Sequence, residues 1–312
     1  MAKQSAPIAP LGIGVHELQQ ATRLIGGRLN LQGIVEGNLS GSHRSPRQGI
    51  SLDFAQHRDY APGDDLKHLD WRAYAKSDRY VIKQYVEETN LRAFMLLDRS
   101  MSMNYCGGGD TMKGIFAARI AAALSWTLMS QGEAVGLVTF GSQVDHFLPA
   151  FSRREHFWQI LQALEHRPWL PETNAREALL SIPNRLPPRG VVFLLTDGFD
   201  LDETSSSGYF ADVVGRLKKH GYQVILLHIL DPHELEFPFD ELSLFEGLEG
   251  EEPIKIDPAG VRRAYLEELQ TFQKALEKSA RSVGAKYCLC PSSLSLDHTL
   301  LKILGHKPRI II

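Results

Sequence analysis

The chain has 312 residues, 43% of them hydrophobic and 23% charged, and its 34 Lys+Arg against 37 Asp+Glu leave a formal net charge of -3. At roughly 100–200 residues per domain, that length holds one large domain or two smaller ones with a substantial buried core. The composition excludes a disordered chain, a coiled coil, a disulfide scaffold and a generically basic nucleic-acid binder. Three cysteines, Cys106, Cys288 and Cys290, with no C-x-x-C spacing, give neither a disulfide framework nor a zinc ribbon and point to a reducing compartment.

Met1 to Leu11 lacks an apolar core of signal-peptide length, so the expected location is the cytoplasm. A helix is expected near Val15 to Ile25. Gly33 to Glu88 is rich in Gly, Asp, Arg and aromatics, carries Pro46 and Pro62, and reads as short strands and turns. Four continuous apolar runs of strand length follow: Phe94 to Leu97, Val135 to Phe140, Val191 to Thr196 and Val224 to Leu230. Helical patterns separate them at Thr111 to Gln131, at Arg153 to Glu165, at Asn174 to Leu186 with a break near Pro183, and through Phe210, Val213, Val214 and Leu217 up to a Gly221 cap. Within the first of these, Ile120 to Met129 falls short of the ~20 apolar residues of a spanning helix and reads as a buried one. Asp231 to Asp257 is acidic, contains three prolines and reads as a loop-like excursion. Helical spacing then resumes through Tyr265, Leu269, Phe272, Leu276 and Ala280 to Gly284, and Ala285 to Cys290 supplies a last strand. Apolar runs alternating with helices specify an α/β fold with a doubly wound, mostly parallel sheet, Rossmann-like in its winding. The organisation expected is a strand-and-turn segment at 1–90, a core at 91–230, and a tail at 231–312 that completes the core domain.

In open α/β sheets ligands bind beyond the carboxyl ends of the strands, which directs attention to the polar residues immediately after each run. Asp98-Arg99-Ser100-Met101-Ser102 follows the first run, Asp197-Gly198 follows the third, and Thr173-Asn174 opens the helix before the third. A D-x-S-x-S stretch alone reads more readily as a turn whose side chains cap backbone amides than as a metal site. Joined by Thr173 and Asp197 it becomes an all-oxygen set suited to a hard cation, Mg²⁺ or Mn²⁺, that retains an open coordination position. No Ser-His-Asp or Cys-His set is legible, and the serines stand beside carboxylates without a base. His228 lies inside an apolar run and reads as a hydrogen-bonded core residue, and Cys288 and Cys290 share a strand face as packing residues. Gly107-Gly108-Gly109 lacks the Lys-Ser/Thr of a P-loop.

The D-x-S-x-S stretch, the loop Thr and the strand-ending Asp together resemble the metal-ion-dependent adhesion site of von Willebrand factor type A (vWA) domains. The resemblance implies that Asp98, Ser100, Ser102, Thr173 and Asp197 surround one divalent cation. Gly49 to Phe54, Arg58 to Asp65, Asp70-Trp71-Arg72 and Lys83 to Glu88 further resemble the signature of the bacterial family known as domain of unknown function 58. That family resemblance implies a type A domain after the signature and a partner of the MoxR-type AAA+ ATPase class. Many family members begin with membrane-spanning helices, whereas this sequence does not. Within the signature, basic residues are matched by aspartates, which argues against a phosphate footprint and hence against nucleic acid. The bland expectation for the segment is a turn at Pro62 to Asp65, Trp71 packed on the core and arginines paired with aspartates. The leading expectation is therefore a non-enzymatic, Mg²⁺-dependent protein-protein interaction module, an adaptor or partner of a MoxR-type AAA+ ATPase that recognises an acidic side chain without membrane insertion. The alternatives are a metal-dependent hydrolase or phosphatase, and a scaffold whose metal site is idle.

Overall fold

The structure is a computed structural model, which describes residues 11–24, 54–61, 69–85, 92–108, 110–165, 175–199, 209–241, 243–245 and 254–303. In chain order the elements are α1 (Val15–Leu24), β1 (Phe54–Asp59), α2 (Trp71–Ser77), β2 (Val81–Tyr85), β3 (Arg92–Asp98), α3 (Lys113–Ser130), β4 (Ala134–Phe140), β5 (Val144–Phe151), α4 (Arg154–Glu165), α5 (Ala175–Ser181), β6 (Gly190–Thr196), α6 (Tyr209–Lys219), β7 (Tyr222–Leu230), α7 (Pro232–Glu236), β8 (Ser243–Phe245), β9 (Ile254–Ile256), α8 (Pro258–Ser282), β10 (Lys286–Pro291) and α9 (Leu296–Ile303). They fall into two units, residues 40–90 and the remainder, with 1–39 grouped with 91–312.

The smaller unit pairs β1 antiparallel to β2, Asp59 opposite Val81. Asp70 starts α2 by accepting the amides of Arg72 and Ala73 on its Oδ1 at 3.0 and 3.2 Å, which satisfies two of the helix's orphan donors. Trp71, expected to pack on a core, instead stands 61% exposed at the first position of α2, while Leu69 and Ile82 take the buried places. The expected turn at Pro62 to Asp65 lies outside the described residues.

The larger unit is built on a six-stranded sheet in the order β10-β7-β6-β3-β4-β5, parallel except for β5, which runs antiparallel to β4. Continuous apolar runs became strands because both faces are covered, so every residue of β6 is buried and alternate residues feed two separate cores. Met95, Leu97, Leu137, Phe193 and Leu227 pack with helices α1, α3, α4 and α9, whereas Phe94, Leu96, Val138, Leu194 and Leu226 pack with α5, α6 and α8. Helix α3 is buried on nearly all sides, and among the described residues no helix is long and apolar enough to cross a membrane. As expected, α5 stops before Pro183, the chain continuing as a 3-10 turn over Ile182–Asn184.

Two stretches differ from the sequence expectation. Strand β5 carries Pro149, which removes one amide from the ladder and is tolerated because β5 is the outermost strand. The 231–257 excursion, expected to lack elements, contains α7 and the β8–β9 ladder. Aromatic packing supplies what its short elements cannot: Phe237 lies 4.6 Å from Tyr265 and 5.1 Å from Phe239 between ring centroids. Arg262 of α8 donates to the carbonyl oxygens of Phe237 and Phe239 at 3.0 and 2.7 Å and fastens the stretch to that helix.

Packing across the sheet is close enough to make a prediction at Gly136 of β4. A Cβ there would meet the ring of Phe94 and stand 2.8 Å from the carbonyl oxygen of Leu148 on β5. Gly136→Ala is therefore expected to lower stability by about 2 kcal/mol, read as a shift of the urea midpoint at unchanged slope.

Candidate functional site

A doubly wound sheet opens where the chain reverses its direction of winding, and here that point lies between β3 and β6. The two strands pair in parallel with Leu97 opposite Leu195, so Asp98 and the Thr196-Asp197 pair emerge side by side at their carboxyl ends. Asp98 and Asp197 are each only 2% exposed. The backbone turns sharply after Asp197 because Gly198 takes φ +78°, a left-handed conformation that strains other residues.

Hydrogen bonds fix Asp98 from both sides. Its Oδ1 accepts the amide of Ser100 at 2.9 Å and its Oδ2 accepts the Thr196 hydroxyl at 2.6 Å. The hydroxyls of Ser100 and Ser102 lie 2.9 Å apart. Four of the five expected site residues, Asp98, Ser100, Ser102 and Asp197, thus gather at one end of the sheet, and Thr173 lies outside the described residues. Among the described residues no group of three or more His, Cys, Asp or Glu side chains is arranged to hold a metal. A cation here would draw on hydroxyls and the two aspartates, and such an oxygen-only donor set fits a hard divalent ion.

Several partners of the aspartates were not foreseen from the sequence. Lys113, the first residue of α3 and 1% exposed, donates from Nζ to Asp197 Oδ2 at 3.0 Å and to Glu234 Oε1 of α7 at 2.6 Å. Its ammonium also lies 5.2 Å from the ring centroid of Phe199 and 5.9 Å from that of Tyr105. Burial opposes the charge on Lys113, but Asp197 and then Glu234 outweigh it and hold the ammonium above its ordinary range. Glu234 is pushed up by burial, against the pull of Lys113. Asp231, at the end of β7, accepts the amides of Gly107, Gly108 and His233 at 3.2, 2.8 and 2.8 Å, while Glu234 Oε2 accepts the amide of Asp231 at 2.7 Å. That reciprocal capping box starts α7, and Asp-Pro-His-Glu is the sequence signal that could have revealed it.

His228 behaves as a hydrogen-bonded core residue. Its Nε2–H donates to the carbonyl oxygen of Asp197 at 2.7 Å and its Nδ1 accepts from the Tyr287 hydroxyl at 2.8 Å. Burial brings its pKa down to about 4, so the ring stays neutral and steadies the Asp197 segment. Cys288 and Cys290 are both buried, their sulfurs 3.8 Å apart on one face of β10.

Electrostatics at the paired aspartates yield a pH prediction. Burial, and next the negative charge of Asp197, push Asp98 up to about 7 from an ordinary 3.8. The folded state therefore holds a proton that the unfolded chain releases, and the stability linked to Asp98 is lost as pH rises from about 4 through 7. In metal-free buffer Asp98→Asn should melt above the parent protein at pH 8, where Asp98 is charged, and the gain should be markedly smaller at pH 5, on the way to its disappearance below about pH 4. A thermal melt of both proteins at the two pH values measures it.

Comparisons with known proteins find one family and several distant similarities. The family described as "Protein of unknown function DUF58" matches residues 56–275. An uncharacterized protein of Mycobacterium tuberculosis, Rv1480, is 22% identical over 207 residues, which cover 65% of this chain and 63% of that protein. The uncharacterized protein YeaD of Bacillus subtilis is 28% identical over 130 residues, 41% of this chain and 30% of that one. The match thus spans less than two thirds of these relatives' length. Among solved structures, BatB of Bacteroides thetaiotaomicron is similar with a TM-score of 0.44 and 16% identity over 69% of this chain and 97% of that one. The SpRpn10 VWA domain gives 0.39 and 14% over 68% of this chain and 93% of that one. Because the family match runs through well over half of the sequence, the chain belongs to the DUF58 family.

Proposed function

We propose that this protein is a non-enzymatic interaction module that binds Mg²⁺ or Mn²⁺ at Asp98, Ser100, Ser102, Thr173 and Asp197, and that it serves a MoxR-type AAA+ ATPase as adaptor or partner. The observation that carries the reading is the emergence of Asp98 and Asp197 from adjacent strands at the reversal point of the sheet, with two serine hydroxyls beside them. When bound, the cation supplies an open coordination position that an acidic side chain of the partner completes. The protein's own groups do the rest. Ser100 N–H and the Thr196 hydroxyl aim the Asp98 carboxylate, and the His228 ring holds the backbone of Asp197. The serines have carboxylate and hydroxyl neighbours, and both ring nitrogens of His228 are engaged, by Tyr287 and by the Asp197 carbonyl. That arrangement favours holding a ligand over activating a nucleophile.

The test uses the full chain, a purified MoxR-type ATPase from the same genome, and MgCl₂ or MnCl₂ against a chelator. Millimolar metal is expected to raise the melting temperature and to retain the ATPase, and Asp98→Ala is expected to abolish both effects, since ligand binding stabilises the folded state by mass action. Ser100→Ala should weaken retention less than Asp98→Ala, because water replaces a neutral hydroxyl ligand more readily than a missing charge. Melting curves unchanged by metal would refute the cation site, and metal-dependent turnover of a phosphoester would favour the hydrolase.

A further inference from the structure

Lys113 stands where local physics disfavours it. The first position of α3 is the positive end of the helix dipole, which repels a cation, and the side chain is 1% exposed, so its ammonium has given up most of its water. Such departures from local rules are tolerated where a nearby demand outweighs them. The demand is visible at both ends of its short hydrogen bonds: Asp197 Oδ2 at 3.0 Å and Glu234 Oε1 at 2.6 Å. Asp197 is one of the two carboxylates assigned to the divalent cation above, whereas Glu234 belongs to α7 and is not.

Resting on that metal reading, we propose that Lys113 is a resident counter-ion which occupies Asp197 in the absence of a divalent cation and gives it up to Glu234 when one binds. A lysine ammonium is a compact charge with three rotatable donors on a flexible stem, so its weight can pass from one carboxylate to the other without the helix moving. Glu234 is well suited to receive it. The reciprocal capping box with Asp231 fixes the start of α7, and Arg262 and the Phe237–Tyr265 contact hold the chain that follows. The second seat is therefore part of a rigid frame. Two consequences of opposite sign follow. Removing the ammonium leaves Asp197 Oδ2 free for the divalent ion and removes a like charge beside it. Removing the charge of Glu234 leaves Asp197 as the ammonium's carboxylate partner, and the incoming cation must then displace it with nowhere for it to go.

Titration calorimetry with MnCl₂ alone, on the full chain, distinguishes these cases. Lys113→Met should bind the metal about tenfold or more tightly than the parent, and Glu234→Gln about tenfold more weakly, the scale of one charge-assisted hydrogen bond. The double variant Lys113→Met, Glu234→Gln removes the pair together and should bind as tightly as Lys113→Met. It replaces that variant if three buried carboxylates without a lysine prevent folding. Equal affinities in the parent and the folded variants would overturn the counter-ion role and leave the metal site standing. Weaker binding without Lys113 would overturn it too, and would make the lysine a support of the site. Absence of binding in the parent and all variants would overturn the metal reading and the exchange with it.

Discussion

Two carboxylates buried at the ends of adjacent strands repel one another, and a fold that contains them must bring protons or positive charge to the same place. Much of the larger unit is arranged around that need at Asp98 and Asp197. Desolvation and mutual repulsion favour a proton on Asp98, while the Ser100 amide and the Thr196 hydroxyl favour its charge. Lys113 answers Asp197 from the first turn of α3, and α7 brings Glu234 to balance the lysine in turn. The cluster is thus a set of opposed preferences, each tolerable only because its neighbours are fixed. The sheet supplies the fixing, since the positions of Asp98 and Asp197 are set by the parallel register of β3 and β6, buried from Ala93 onward in β3 and throughout β6.

The sheet was legible because its code is local. A strand buried on both faces must be continuously apolar, and β3, β4, β6 and β7 are; the helices between them announce themselves by period, by the Pro183 break and by Gly221. Strand β5 escaped because none of its residues is fully buried, three of its eight are exposed and Pro149 interrupts it, features that argue against a strand unless its position at the edge is already known. The D-x-S-x-S stretch and Asp197 were readable from their place after apolar runs. Lys113 and Glu234 were not, because Lys113 lies 84 residues from Asp197 and 121 from Glu234 along the chain, and no spacing rule spans such distances. Trp71 shows the opposite error, since a large aromatic in a motif invites a core assignment that the outward first position of α2 does not honour.

Family membership and architecture bear on different questions. The family match extends across residues of both units, so the strand pair with its Asp70-capped helix and the sheet occur together in one family sequence arrangement. Within that arrangement the smaller unit offers exposed Trp71 and the stacked Tyr74 and Tyr80 rings, 4.5 Å apart between centroids.

Asp231 gathers amides from Gly107 and Gly108, from the start of α7, and the Ser292 hydroxyl at 3.5 Å beyond β10. Three loops that are remote in sequence therefore share one anchor at the rim of the sheet. The shared acceptor fixes these loops to one another, so none of them can shift without loosening hydrogen bonds that hold the others. Glu234 shares that anchor, since its Oε2 accepts the Asp231 amide while its Oε1 accepts from Lys113, so two consecutive hydrogen bonds link the rim to the buried lysine.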